Sequence, residues 1–143
     1  MPGIFTFHHV GVAVPDLETA SKFYIEVLGF HLVSGPFEDP IQKVKVCFLA
    51  EAGQTLGRLE LISPLDVESP VNGYLAKGIG AYHTCYEVTD IAKVQAELRS
   101  NGCLVICKPV PAVAYGGRKI AWCYTPTQQL LELLERAATA VDQ

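Results

Sequence analysis

A chain of 143 residues, half of them hydrophobic, is long enough to bury a core of its own and falls within the size of one ordinary domain. Its 11 Lys and Arg are outnumbered by 15 Asp and Glu, for a net charge of −4, and no basic stripe appears, which excludes the electrostatic footprint of a nucleic-acid binder. No apolar run approaches the roughly 18 residues that span a bilayer, and the start lacks the charged and then apolar pattern of a leader, so we expect a cytoplasmic protein with no membrane contact.

The first strand-like run contains two alternating sets of side chains. Val10, Val12 and Val14 share one face and form a floor for a helix, while Phe7, His9, Gly11 and Ala13 share the other. Asp16 is a good N-cap, and residues 17–28 place Leu17, Ala20, Phe23, Tyr24, Val27 and Leu28 on one apolar stripe, which predicts a helix ended by Gly29. Strand patterns follow at 30–33, 43–49 and 58–62. A Pro- and Gly-rich connection, with a short helix over 71–76, leads to a second strand run from residue 81. Asp90 then caps a helix carrying Ile91, Val94, Ala96 and Leu98 and closed by Gly102. The last strand patterns fall at 103–107, 119–124 and 130–134. The leucine-rich run at 130–134 equally suits a helix, but its position mirrors 58–62.

This order is a repeat. Residues 7–17 set against 81–91 align His9 with His83, Val14 with Val88, Asp16 with Asp90 and Leu17 with Ile91, at a spacing of 74 residues (83 − 9). The reading is an α+β domain over 1–143, made of two tandem βαβββ modules at about 5–65 and 80–136 joined by a linker at about 66–79.

The last strand of each half carries a carboxylate between leucines, in Leu59-Glu60-Leu61 and in Leu131-Glu132-Leu133. The His-to-Glu separations are 51 (60 − 9) and 49 (132 − 83). A strand histidine is usually a satisfied packing residue, and a Glu alternating with Leu is usually a solvated face. Chance must place this pair twice at corresponding positions, however, and buried carboxylates need a compensating cation. We therefore expect His9, Glu60, His83 and Glu132 to ligate one divalent metal: two imidazoles and two carboxylates suit Zn²⁺, Co²⁺, Ni²⁺ or Mn²⁺. His8 and Tyr82 precede the ligands and are read as packing residues, and His31 as ordinary. Five cysteines, an odd count without zinc-site spacing, are read as free thiols, with Cys103 and Cys107 on one strand face.

These residues resemble the vicinal oxygen chelate superfamily, which includes the glyoxalases, bleomycin-resistance proteins and dioxygenases. Within it the chain is most similar to the methylmalonyl-CoA epimerase family, through His8-His9-Val10-Gly11-Val12-Ala13-Val14, Leu28-Gly29-Phe30, Leu59-Glu60-Leu61, Ser69-Pro70-Val71 and Gly117-Arg118-Lys119-Ile120-Ala121. The resemblance implies a cupped, barrel-like mixed sheet with helices outside, a homodimer, and a metal that stabilises an enolate while an α-proton of an acyl-CoA is removed and returned. It implies Glu132 as one base. The family's acidic residue before a Gln-Gly-Val stretch is replaced in Ile41-Gln42-Lys43-Val44, so Glu38 or Asp39 is the candidate for the second base, with Gln42 beside it. Arg118, Lys119 and Lys108 are candidates for the CoA phosphates, and the loop of Tyr115-Gly116-Gly117 for a lid. The alternatives are another metalloenzyme of the superfamily, such as a lyase, thiol transferase or dioxygenase, and a non-catalytic small-molecule or drug-binding protein.

Overall fold

The computed structural model describes residues 3–137. Among them are nine strands, in both parallel and antiparallel pairs, and three α-helices. The elements are β1 (Thr6–Ala13), α1 (Leu17–Glu26), β2 (His31–Asp39), β3 (Val44–Ala50), β4 (Leu59–Pro64), α2 (Val71–Ala76), β5 (Ala81–Val88), α3 (Ile91–Ser100), β6 (Leu104–Val105), β7 (Val110–Pro111), β8 (Lys119–Tyr124) and β9 (Leu130–Glu135). A 3₁₀ turn, Val113–Tyr115, lies between β7 and β8.

Two compact units divide the chain. One is His9–Tyr82; the other gathers residues 83–137 together with residues 3–8. In the first, the strand order is β2-β3-β4-β1, with β1 parallel to β4 and the other pairs antiparallel. In the second it is β5-β9-β8-β6, with β5 parallel to β9, β8 antiparallel to β9 and β6, and β7 also paired to β8. Each unit thus pairs its first strand with its last. Residues 3–8 belong with the second unit because Ile4 and Phe5 pack on its core, Phe5 and Phe7 sit edge-on to Tyr86, and Arg136 donates to the Thr6 hydroxyl.

Both helices start as their caps dictate. The Asp16 carboxylate accepts from the Thr19 amide and hydroxyl, which hold its pKa below the ordinary carboxylate value, and the Asp90 carboxylate accepts from the Lys93 amide. Helix α1 lays Leu17, Ala20 and Tyr24 on Cys47, Leu49 and Leu61, with Val12 and Val14 completing the layer. Helix α3 lays Ile91, Val94 and Leu98 on Ala121, Cys123 and Leu133. Leu49, Leu61 and Leu133 have no exposed surface, and burying each such side chain contributes about 1.5–3 kcal/mol.

Several boundaries differ from the expectation. Helix α1 stops at Glu26, with Val27 as its C-cap, because Gly29 takes a left-handed φ of 77° and the Phe30 amide turns back to the Tyr24 carbonyl. Phe23, Val27 and Leu28, assigned to the buried stripe, are exposed. In α3 it is Gln95 rather than Ala96 that is buried, its amide donating to the Cys107 carbonyl. Strand β2 runs through Gly35 and Pro36 to Asp39, with register shifts on either side of Ser34, and so exceeds the expected 30–33. Strand β6 keeps only two of the five residues expected at 103–107, and β7, also two residues, was not expected.

Candidate metal centre

The sheet register fixes which side chains share a face. In the first unit, Gly11 lies beside Glu60 on the parallel β1–β4 pair, and Phe48 lies opposite Glu60 on the antiparallel β3–β4 pair. Alternation places His9, two residues before Gly11, on that same face. The His9 Nε2 is 3.0 Å from the Glu60 Oε1, and both residues are buried, at 0% and 6% exposure. The Phe48 ring meets the His9 ring edge to face, with centroids 5.4 Å apart.

The second unit repeats this construction. Cys85 lies beside Glu132 on the parallel β5–β9 pair, Trp122 lies opposite Glu132 on the antiparallel β8–β9 pair, and His83 sits two residues before Cys85. The His83 Nε2 is 3.3 Å from the Glu132 Oε1, with both residues buried. The Trp122 ring meets the His83 ring at 4.8 Å and 89°. Trp122 follows Phe48 by 74 residues (122 − 48), the spacing that separates the histidines. That spacing is the one signal in the sequence that marks both aromatics as part of the repeated site.

Each pair puts an imidazole nitrogen and a carboxylate oxygen side by side in a buried setting, which is the donor chemistry of a borderline divalent ion. The imidazole is held in place by an aromatic ring, and the carboxylate stands on a central strand of its unit, so little ordering remains to be done when an ion arrives. The residues present therefore fit the metal that the repeat leads one to expect.

The remaining expected site residues separate by face. Glu38 is exposed and pairs with Lys45, three residues from Phe48 on a regular strand, so it points away from the Glu60 face. Lys45 itself reaches Glu18 of α1, which identifies that side as the helix side. Asp39 pairs with Val44 and thus shares the face of Glu60. It is 3% exposed, and its Oδ1 accepts from the amides of Ile41 and Gln42, which lie in the turn to β3. Lys43 closes this turn at a φ of 59°, a left-handed conformation that non-glycine residues rarely adopt.

Arg118 donates to the Glu87 carboxylate and the Glu135 carbonyl, each at 3.2 Å, and lies over the Tyr115 ring, so its charge is already met within the unit. Lys119 is exposed on the side of Ala121 and Cys123, and Lys108 is exposed between β6 and β7. His8 packs on Tyr115, Tyr82 stacks on Tyr74, and His31 bonds the Gln54 carbonyl, in keeping with structural roles for all three. The five cysteines are free thiols. Burial pushes the Cys47 and Cys123 thiols up to about 11, with Glu60 adding to the first and Cys103 and Cys107 to the second.

Residues 8–122 match the family model of the glyoxalase/bleomycin resistance protein/dioxygenase superfamily. The ethylmalonyl-CoA/methylmalonyl-CoA epimerase of Cereibacter sphaeroides is 34% identical over 119 residues, covering 82% of this chain and 86% of that protein. The mitochondrial methylmalonyl-CoA epimerase of Mus musculus is 43% identical over 96 residues, 66% of this chain and 52% of its own length, so the chain spans about half of that relative. A solved structure of a variant Streptomyces coelicolor methylmalonyl-CoA epimerase, in complex with 2-nitronate-propionyl-CoA, is similar with a TM-score of 0.77 and 26% identity, covering 95% of this chain and all of that one. The chain belongs to the glyoxalase/bleomycin resistance/dioxygenase superfamily, and within it to the epimerase-like isomerases.

Proposed function

We propose that the two His–Glu pairs hold a single divalent ion, one of Co²⁺, Zn²⁺, Ni²⁺ or Mn²⁺, and that the protein epimerises an acyl-CoA thioester such as methylmalonyl-CoA in the cytoplasm. The observation that carries this reading is the duplication of the pair: the same imidazole, carboxylate and aromatic ring recur at corresponding strand positions of both units. The names of the relatives supply the substrate class. Bound there, the ion supplies Lewis-acid stabilisation of the negative charge that develops on the thioester oxygen.

The protein's own residues move the proton. An α-proton must leave from one side of the carbon and return from the other, which calls for a proton-transfer group on each side. We assign one role to Glu132. The other goes to Asp39 rather than Glu38, because Asp39 shares the Glu60 face and its carboxylate is oriented by two backbone amides. Gln42, in the same turn, orients the acyl group. With Arg118 engaged by Glu87 and Lys119 on the α3 side of its strand, the CoA phosphates fall first to Lys108, with Lys119 within reach only of the far end of the carrier. The same reading carries a homodimer, for which light scattering should return twice the mass of the chain.

The test is deuterium uptake from D₂O into methylmalonyl-CoA. Uptake should require the metal, and interconversion of the two epimers should fall about 100-fold or more in Glu132→Gln and in Asp39→Asn and persist in Glu38→Gln. Metal binding without any uptake would retain the site and reject the substrate class.

A further inference from the structure

Around the His83–Glu132 pair, the ligand face keeps some exposure at its ends, at Ala81, Glu87 and Tyr124, and most side chains between them are sealed. Cys85 and Leu134 are 0% exposed, Ile120 is 2%, Glu132 is 3% and His83 is 5%. Trp122 differs. It stands directly opposite Glu132 on β8, holds the His83 ring edge to face, and remains only partly buried. Its counterpart in the first unit, Phe48, is 4% exposed. The two units therefore present the same arrangement with different burial: Phe48 is closed over by protein, whereas Trp122, packed against Cys85, Ile120 and Leu134, keeps part of its surface accessible beside a ligand pair.

We propose that Trp122 is the wall against which the alkyl substituent on the substrate's α-carbon packs, and that its size sets which substituents the enzyme accepts. The inference rests on the acyl-CoA reading above and adds a determinant of substrate length to it. Glu132, the proposed base, must face the α-carbon, so a group bonded to that carbon lies within reach of the residue paired with Glu132. The indole face has no charge and no need of a hydrogen-bond partner, so it favours methyl or ethyl over a polar group. The rigid bicyclic ring on a central strand cannot retreat as a flexible side chain would.

Trp122 is the only tryptophan in the chain, which supplies a readout independent of turnover. With the metal-loaded protein, ethylmalonyl-CoA should shift the tryptophan emission and malonyl-CoA, which lacks the substituent, should not. In parallel, kcat/KM is measured for methylmalonyl-CoA, ethylmalonyl-CoA and butylmalonyl-CoA in wild type, Trp122→Phe and Trp122→Ala. The ratio for butyl over methyl should rise about 10-fold or more in Trp122→Ala and by an intermediate factor in the conservative Trp122→Phe, as expected when a pocket wall recedes by a few carbons. An unchanged ratio in Trp122→Phe, or identical emission with malonyl-CoA and ethylmalonyl-CoA, would overturn the proposal. Loss of exchange with all three thioesters in wild type, while the emission still responds to the substituent, would reject epimerisation and keep the wall.

Discussion

Individual side chains owe their chemistry here to where the sheet register buries them. Cys123 lies under α3 with no exposed surface, and its thiol is pushed up to about 11 because a thiolate there would lose its water. A folded pKa above the ordinary thiol value of 9.0 means the unfolded chain releases the proton first, so this contribution to stability is complete below about pH 9 and is lost as the pH rises toward about 11. Denaturation midpoints should therefore fall across that interval in wild type, and fall less in Cys123→Ala. The same burial orders the thiols by reactivity. At pH 8 an alkylating reagent should modify the half-buried Cys103 and Cys107 in the native protein and leave Cys47, Cys85 and Cys123 intact until it unfolds. Early modification of Cys123 would contradict the packing described for α3.

At the level of elements, the approach of the loop before β4 to β3 sets the position of Phe48, and through it the imidazole of His9. A Cβ added at Gly57 would lie 2.7 Å from the Phe48 Cβ, closer than packed carbons tolerate, and in tight contact with the Val33 Cβ at 3.3 Å. Gly57→Ala should destabilise the protein by about 1–3 kcal/mol and weaken metal binding, measured by denaturation and by metal titration. Strands with plain alternation or a leucine-flanked carboxylate were legible in the sequence: β8 matches its expected bounds, and β3, β4 and β9 do so within a residue or two. Strand β2 was not fully legible, because Gly35-Pro36 reads as a break where the chain instead continues with an irregular register. The short pair β6 and β7 is set by what β8 offers as a partner, which no local pattern reveals. The His–Glu pairs were legible because the repeat doubled a weak signal. Asp39 and Glu38 were not separable, since adjacent residues on a strand differ only in face, and that depends on the pairing with β3.

At the scale of the whole molecule, the proposed single-ion site gives the duplication a function, since each of two units of equivalent topology carries one buried His–Glu pair. None of the helices among the described residues is long and apolar enough to cross a membrane. The most direct measurement is metal content per chain, determined on wild type reconstituted with Co²⁺ and freed of excess, and compared with His9→Ala and His83→Ala. One ion per chain, lost from both variants, is the predicted result, because removing an imidazole from either unit should open the same site. Two ions per chain with each variant losing one, or full occupancy in either variant, would contradict the account.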